Sequence, residues 1–152
     1  MIKVAIIGLG IMGRRMLQHM RIHEKFEPNF LWDPDNTACL KALEVDTEAE
    51  ITGSPEEAID AADLIYLACP PKVRDAYAIE AAQKGKALFL EKPLGIDIDK
   101  SRSLIDKLKG FNVPLAVNFT QAAGPALNDL IQAKSDGELG EMIGVDIIVT
   151  YP

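Results

Sequence analysis

The sequence predicts an α/β domain built on a doubly wound parallel sheet. Three observations carry that expectation. The chain opens with an apolar, β-branched run, Met1 to Ile7, broken only by Lys3, which passes through Gly8-Leu9-Gly10-Ile11-Met12-Gly13 into helix-forming sequence. Six strand-like runs in all alternate with helical ones, the pattern of a parallel sheet wound in right-handed βαβ units. One of those runs, Leu64 to Ala68, is continuously apolar, as a strand covered by helices on both faces must be.

The glycine stretch has the context in which GxGxxG signals dinucleotide binding: a strand before it and a helix start after it. Each glycine has a mechanical task. Gly8 allows the tight turn after the strand, Gly10 allows the backbone to approach a pyrophosphate, and Gly13 lets the helix lie close to the strand. Ile11 and Met12 would then offer first-turn N–H groups to the anion at the positive end of the helix. The helix itself runs over about Ile11 to His23. Met12, Met16 and Met20 recur at i, i+4 and i+8 beside Leu17, which makes them a core face. Arg14 and Arg15 read as solvated helix surface. His19 and His23 have a metal-ligand spacing, but no Glu lies between them and no third ligand is evident, so no metal is expected.

The second strand, Phe30 to Trp32, ends at Asp33, twenty residues after Gly13, where this fold places an acid on the ribose 2′-hydroxyl. Pro34, Asp35 and Asn36 follow, with no Lys or Arg to neutralise a 2′-phosphate, and the two carboxylates would repel one; this favours NAD over NADP. Asp35 fits the cap of the next helix, about Asn36 to Glu44, and leaves Asp33 for the ribose. Glu48 to Thr52 reads as a short edge strand. Ser54-Pro55-Glu56-Glu57 is a capping box with proline at the first helical position. After Leu64 to Ala68, Cys69-Pro70-Pro71 puts a loop at the C-terminal edge of the sheet, where ligands bind in doubly wound folds. The next helix runs from Pro71 to about Lys84, with Ala76, Ala78, Ala81 and Ala82 suited to close packing. Ala87 to Leu90 is the fifth strand and is followed by Glu91-Lys92-Pro93; Asp97 or Asp99 caps a helix to about Lys109; Val113 to Phe119 is the sixth strand. Gly124 to Ser135 reads as a further helix with Leu127, Leu130 and Ile131 on one face. Gly137 to Gly140 is a turn, and Met142 to Thr150 is a strongly β-forming run with no later partner. The expected division is a dinucleotide-binding domain over 1–122, then a linking helix and the first strand of a truncated second domain over 123–152. An unpaired strand could also join two copies of the chain.

Composition bounds the partners. The 152 residues carry a net charge of −7, with 48% hydrophobic and 26% charged residues and a pI near 4.8. That acidity argues against nucleic acid. No run approaches a membrane span, and the start has no signal-peptide architecture. Cys39 and Cys69 lie far apart without metal-like spacing, which suggests free thiols in a reducing cytoplasm.

At Glu91-Lys92-Pro93 the chain resembles the Gfo/Idh/MocA oxidoreductases. The leading GxGxxG and the Gly137-Glu138-Leu139-Gly140 turn before a β-run belong to the same resemblance. It spans all 152 residues but only the N-terminal half of a typical member. The resemblance implies NAD(P)-dependent hydride transfer on alcohol groups of sugars, inositols and related polyols. It implies Lys92 as the active-site lysine, positioned by Pro93 through a bond that is a candidate for the cis form, with Glu91 orienting the loop. It puts Ala68 to Pro71, including Cys69 and Pro70, along the adenosine-to-nicotinamide path, and Asn118 near its nicotinamide end. The chain departs from the family at Thr120-Gln121, where members often carry an arginine, and at Arg74, where many have a histidine. The family's Asp/His pair lies in the second domain, so this chain represents the cofactor-binding half.

Three other readings are weighed. A β-hydroxyacid dehydrogenase shares the glycine stretch but not Glu-Lys-Pro or the terminal β-run. A nucleotide-binding sensor on the same fold would need no catalytic residues. A methyltransferase would leave the third glycine and the bare helix N-terminus unexplained, since its ligand has no pyrophosphate.

Overall fold

A computed structural model describes residues 1–120, 124–141, 143, 144, 146 and 148. Six strands, β1 Ile2–Ile7, β2 Phe26–Trp32, β3 Glu50–Ile51, β4 Leu64–Leu67, β5 Ala87–Glu91 and β6 Leu115–Asn118, form one sheet in the order β3-β2-β1-β4-β5-β6. Every pairing is parallel. This is the doubly wound order whose direction reverses between β1 and β4.

The helices are α1 Ile11–Arg21, α2 Asn36–Leu43, α3 Pro55–Ala61, α4 Pro71–Gln83, α5 Ile98–Lys109 and α6 Pro125–Ser135. Three have the side-chain caps that local chemistry favours. Asp35 accepts from Thr37 N–H, Ser54 from Glu57 N–H, and Asp97, rather than Asp99, from Lys100 N–H. Glu57 also reaches back to Gly53 N–H.

Alternation along β1 divides the core. Val4 and Ile6 pack with Leu17, Met20, Cys39 and Ala42 on the face of α1 and α2. Ala5 and Ile7 pack with Ile59, Ala78, Ala81 and Leu104 on the face of α3, α4 and α5. Burying each of the larger aliphatic side chains stabilises by about 1.5–3 kcal/mol.

Several boundaries differ from expectation. β2 begins at Phe26 and runs through Pro28, because β3 pairs only with Phe30 and Leu31 and the β1–β2 register shifts beside the proline. β3 is only two residues long. Ala76 is exposed while Ala78, Ala81 and Ala82 are buried. Arg14 is half-buried rather than solvated and donates to Leu9 O at 2.6 Å. Among the described residues no group of side chains could hold a metal ion, and no helix is long and apolar enough to cross a membrane.

The chain divides into two units, Met1–Asn118 and Phe119–Pro152. The second holds α6 and the turn whose Gly137 and Gly140 have φ of +77° and +64°. Much of the β-forming run from 142 to 150, with any pairing through it, lies outside the described residues.

The glycine loop sets a close approach with a testable consequence. A Cβ on Gly13 would overlap the carbonyl oxygen of Gly8, whereas one on Gly10 meets nothing within 4 Å. Gly13→Ala is therefore expected to destabilise the chain by about 1–3 kcal/mol. Gly10→Ala should leave stability within roughly 0.5 kcal/mol of the parent. Chemical denaturation with circular dichroism checks both, and equal losses would contradict the packing described.

Candidate cofactor and active site

The C-terminal ends of β2, β1, β4 and β5 deliver their loops to one edge of the sheet. Three strand spacings of ~4.8 Å separate the first from the last, roughly 14 Å in all, which is the reach of an extended dinucleotide. A cavity of about 650 Å³ opens along this edge, a size typical of small-molecule sites. Gly8, Gly10 and Met12 line it from the glycine loop, Trp32 and Asp33 from the end of β2, Cys69 to Pro71 from the loop after β4, and Glu91 to Pro93 from the end of β5. Two other hollows, of about 550 and 490 Å³, lie away from the glycine loop.

The glycine loop leaves open space at the start of α1. Gly8 has φ of +97°, and a side chain there would come within 2.5 Å of Cys69 N. Its N–H donates to Trp32 O at 2.9 Å, while Ala68 N–H and Cys69 N–H both donate to Ile7 O. The loop is thus laced to both neighbouring strands at the switch point. The open space beside Gly10, at the N-cap of α1, is what a pyrophosphate would fill, with the first-turn N–H groups directed towards it.

Asp33 does more than terminate β2. Its Oδ2 accepts from Leu9 N–H at 2.7 Å and its Oδ1 from Asp35 N–H at 2.9 Å. The expectation that Asp33 stands free is corrected: its carboxylate closes the glycine loop and orders its own turn. Each oxygen has a second lone pair, so it can still accept from a ribose hydroxyl. Trp32 and Tyr77 pack edge to face beside it, ring centroids 6.0 Å apart, and both line the cavity.

At the other end of the cavity, Lys92 is exposed and stands on a buried base. Glu91 is 3% exposed. Its Oε1 accepts from Tyr66 Oη–H at 2.5 Å and from Asn118 Nδ2–H, and its Oε2 accepts from Lys92 N–H at 3.0 Å. Asn118 is the register partner of Glu91 on β6, which brings its amide alongside. The Lys92–Pro93 bond is cis. Gly13, Ile11 and Asn118 do not line the cavity: Gly13 is packed on Gly8, Ile11 is exposed at the first helical position, and Asn118 reaches the site through Glu91.

Sequence reasoning did not find Tyr66, and it noted Arg74 only as a departure. Arg74 is 2% exposed and donates to the carbonyl oxygens of Cys69, Glu91 and Pro93. Its signal was present. Positions 74, 78, 81 and 82 form the buried face of α4, so the arginine had to point inward. Burial pushes the Cys69 thiol above its ordinary pKa despite the nearby Arg74 guanidinium, and burial likewise raises Cys39. Both thiols are buried and unpaired.

The oxidoreductase family model with an NAD-binding Rossmann fold, Gfo/Idh/MocA, matches residues 2–119. The chain belongs to this family. An uncharacterised oxidoreductase of Streptococcus pneumoniae is 30% identical over 145 residues, covering 94% of this chain and 39% of that protein. An inositol 2-dehydrogenase of Corynebacterium glutamicum is 26% identical, covering 93% of this chain and 43% of its own length. The crystal structure of a myo-inositol 2-dehydrogenase from Lactobacillus plantarum superposes with a TM-score of 0.82 at 23% identity, over 93% of this chain and 43% of that one. The chain therefore spans about two fifths of the length of these relatives.

Burial, the bond to Glu91 and the charge of Glu91 raise the Tyr66 hydroxyl pKa above its ordinary 10.0. In the unfolded chain the same hydroxyl ionises near that ordinary value. Above it the native state holds a proton that the unfolded state has lost, so stability falls as pH rises. Tyr66→Phe should remove this share of the alkaline loss. It should also lower stability at neutral pH by about 1–3 kcal/mol, because the Glu91 carboxylate loses a buried donor. Urea titrations between pH 7 and 11 check both effects; an unchanged alkaline slope would show that Tyr66 does not contribute.

Proposed function

We propose that this chain is the cofactor-binding half of an NAD-dependent dehydrogenase acting on an alcohol of a sugar or polyol. The observation that carries the proposal is the convergence of the glycine loop, Asp33 and Lys92 on one cavity at the switch-point edge of the sheet. The family membership supports the class of reaction, and the inositol 2-dehydrogenase relative supports a polyol. In this reading residues 1–122 form the dinucleotide domain, and 123–152 are the linking helix and first strand of a second domain that completes the substrate site. The two buried free thiols fit a reducing, cytoplasmic setting.

The residues divide the work. Gly8, Gly10 and the start of α1 cradle the pyrophosphate. Asp33 accepts from the adenosine ribose, and its charge, with Asp35 two residues on, disfavours a 2′-phosphate. The loop from Cys69 to Pro71 borders the path to the nicotinamide. The bound cofactor supplies the hydride acceptor. Lys92 places an ammonium where it holds the reacting oxygen and stabilises negative charge developing there.

Isothermal titration of the chain with NAD and NADP tests the binding half. NAD is expected to bind at least about tenfold more tightly, a difference of about 1.4 kcal/mol. Asp33→Ala should erase that preference; a preference for NADP in the unaltered chain would remove the role given to Asp33. Gly10→Ala, though it folds, should lose NAD affinity. In turnover assays, Lys92→Ala should lower kcat by about 10²–10³-fold while NAD affinity stays within about twofold. Unchanged turnover would make the lysine a turn residue only, and binding without turnover in the unaltered protein would favour the sensor reading.

A further inference from the structure

We propose that Arg74 is a positioning residue for Lys92, fastening the loop after β4 to the loop after β5 and so fixing where the lysine meets the nicotinamide end of the cavity. The inference rests on the functional reading above. One planar guanidinium bonds three backbone carbonyls from two loops. Nη2 donates to Cys69 O at 2.7 Å, and Nη1 donates to Pro93 O at 2.6 Å and to Glu91 O. The two carbonyls held by Nη1 flank Lys92 on either side. From the other direction, the Glu91 carboxylate holds Lys92 N–H. The backbone of Lys92 is therefore gripped before, at and after the residue, while its side chain stays exposed.

Stability alone gives a poor account of Arg74. It makes no ion pair with a described carboxylate, it is 2% exposed, and its Nε is buried without a partner. A buried charge costs several kcal/mol unless well compensated, and an apolar side chain of similar volume is often neutral or stabilising in its place. What an apolar side chain cannot do is hold three carbonyls of two loops at fixed spacing. Lysine, a point charge without the fork, cannot do so either. Fixed geometry is what a reacting group needs, since a displacement of about 1 Å can cost on the order of 10²-fold in rate.

The test uses the full chain with NADH and AMP as probes. Trp32, the sole tryptophan, lines the cavity beside Asp33 and reports the adenosine end by quenching. Nicotinamide emission of bound NADH reports the other end. In the unaltered chain both signals should change on binding. Arg74→Met and Arg74→Lys should keep AMP and NADH affinity within about twofold and keep the Trp32 signal, while the nicotinamide emission returns to that of free NADH. Lys92→Ala should remove the same emission change, and combining it with Arg74→Lys should remove no more, because the two act through one contact. Undiminished nicotinamide emission in either Arg74 variant overturns the proposal. So does an equal loss of AMP and NADH affinity in Arg74→Lys, which a merely structural arginine would produce. Failure of the unaltered chain to bind NADH or AMP would instead sink the cofactor reading itself, and this inference with it.

Discussion

The sheet edge is organised by how closely α1 begins against the end of β1. Gly13 lies so near the Gly8 carbonyl that no side chain fits between them. Because the helix starts there, its first-turn N–H groups reach the space beside Gly10 and not a solvated loop beyond the sheet. The same closeness draws the turn at Gly8 under the strand β4 loop, where Cys69 N leaves no room for a Cβ. Leu9 N–H, which donates to Asp33, lies within the same turn, and Ile7 O, which accepts from Cys69 N–H, ends the strand before it. The glycine loop, the acid after β2 and the wall after β4 are one construction.

The parts legible in the sequence are those whose physics is local. Ser54, Asp35 and Asp97 cap helices through N–H groups two or three residues away, and Gly8 turns the chain within its own neighbourhood. Apolar runs identified β1 and β4 because burial on both faces removes alternation. The second strand was expected to begin at Phe30, yet it runs from Phe26 through Pro28, a proline the strand tolerates because β3 does not reach it. Asp33 was recognised by its distance from the glycines, but its bond to Leu9 N–H spans 24 residues and depends on the strand register. Tyr66, Asn118 and Glu91 meet across 25 and 27 residues, through three strands whose order no local signal states.

Lys92 combines an exposed side chain with a rigid base. An exposed lysine loses little solvation and keeps its charge at low cost, but it has many rotamers to search. The protein spends its order on the backbone beneath. β5 pairs on both sides up to Glu91, whose buried carboxylate accepts from Tyr66, Asn118 and Lys92 N–H. Tyr66 in turn remains protonated, and therefore a donor, well beyond the ordinary tyrosine range because burial and Glu91 both oppose its ionisation.

Two opposite charges, Glu91 and Arg74, are buried within this base, yet their side chains make no ion pair with each other. A direct pair would be the simpler way to neutralise both, and it would satisfy most of their hydrogen-bonding capacity on the spot. It would also leave the carbonyls of Cys69, Glu91 and Pro93, and the N–H of Lys92, without side chains to hold them. By spending each charge on neutral dipoles instead, the fold connects β4, β5 and β6 with the loops that follow the first two. Charge-assisted bonds are roughly twice as strong as neutral ones, so four backbone groups around one exposed lysine are fixed by two side chains. The cost of desolvating both charges falls beneath Lys92, where the proposed role needs fixed position more than added stability.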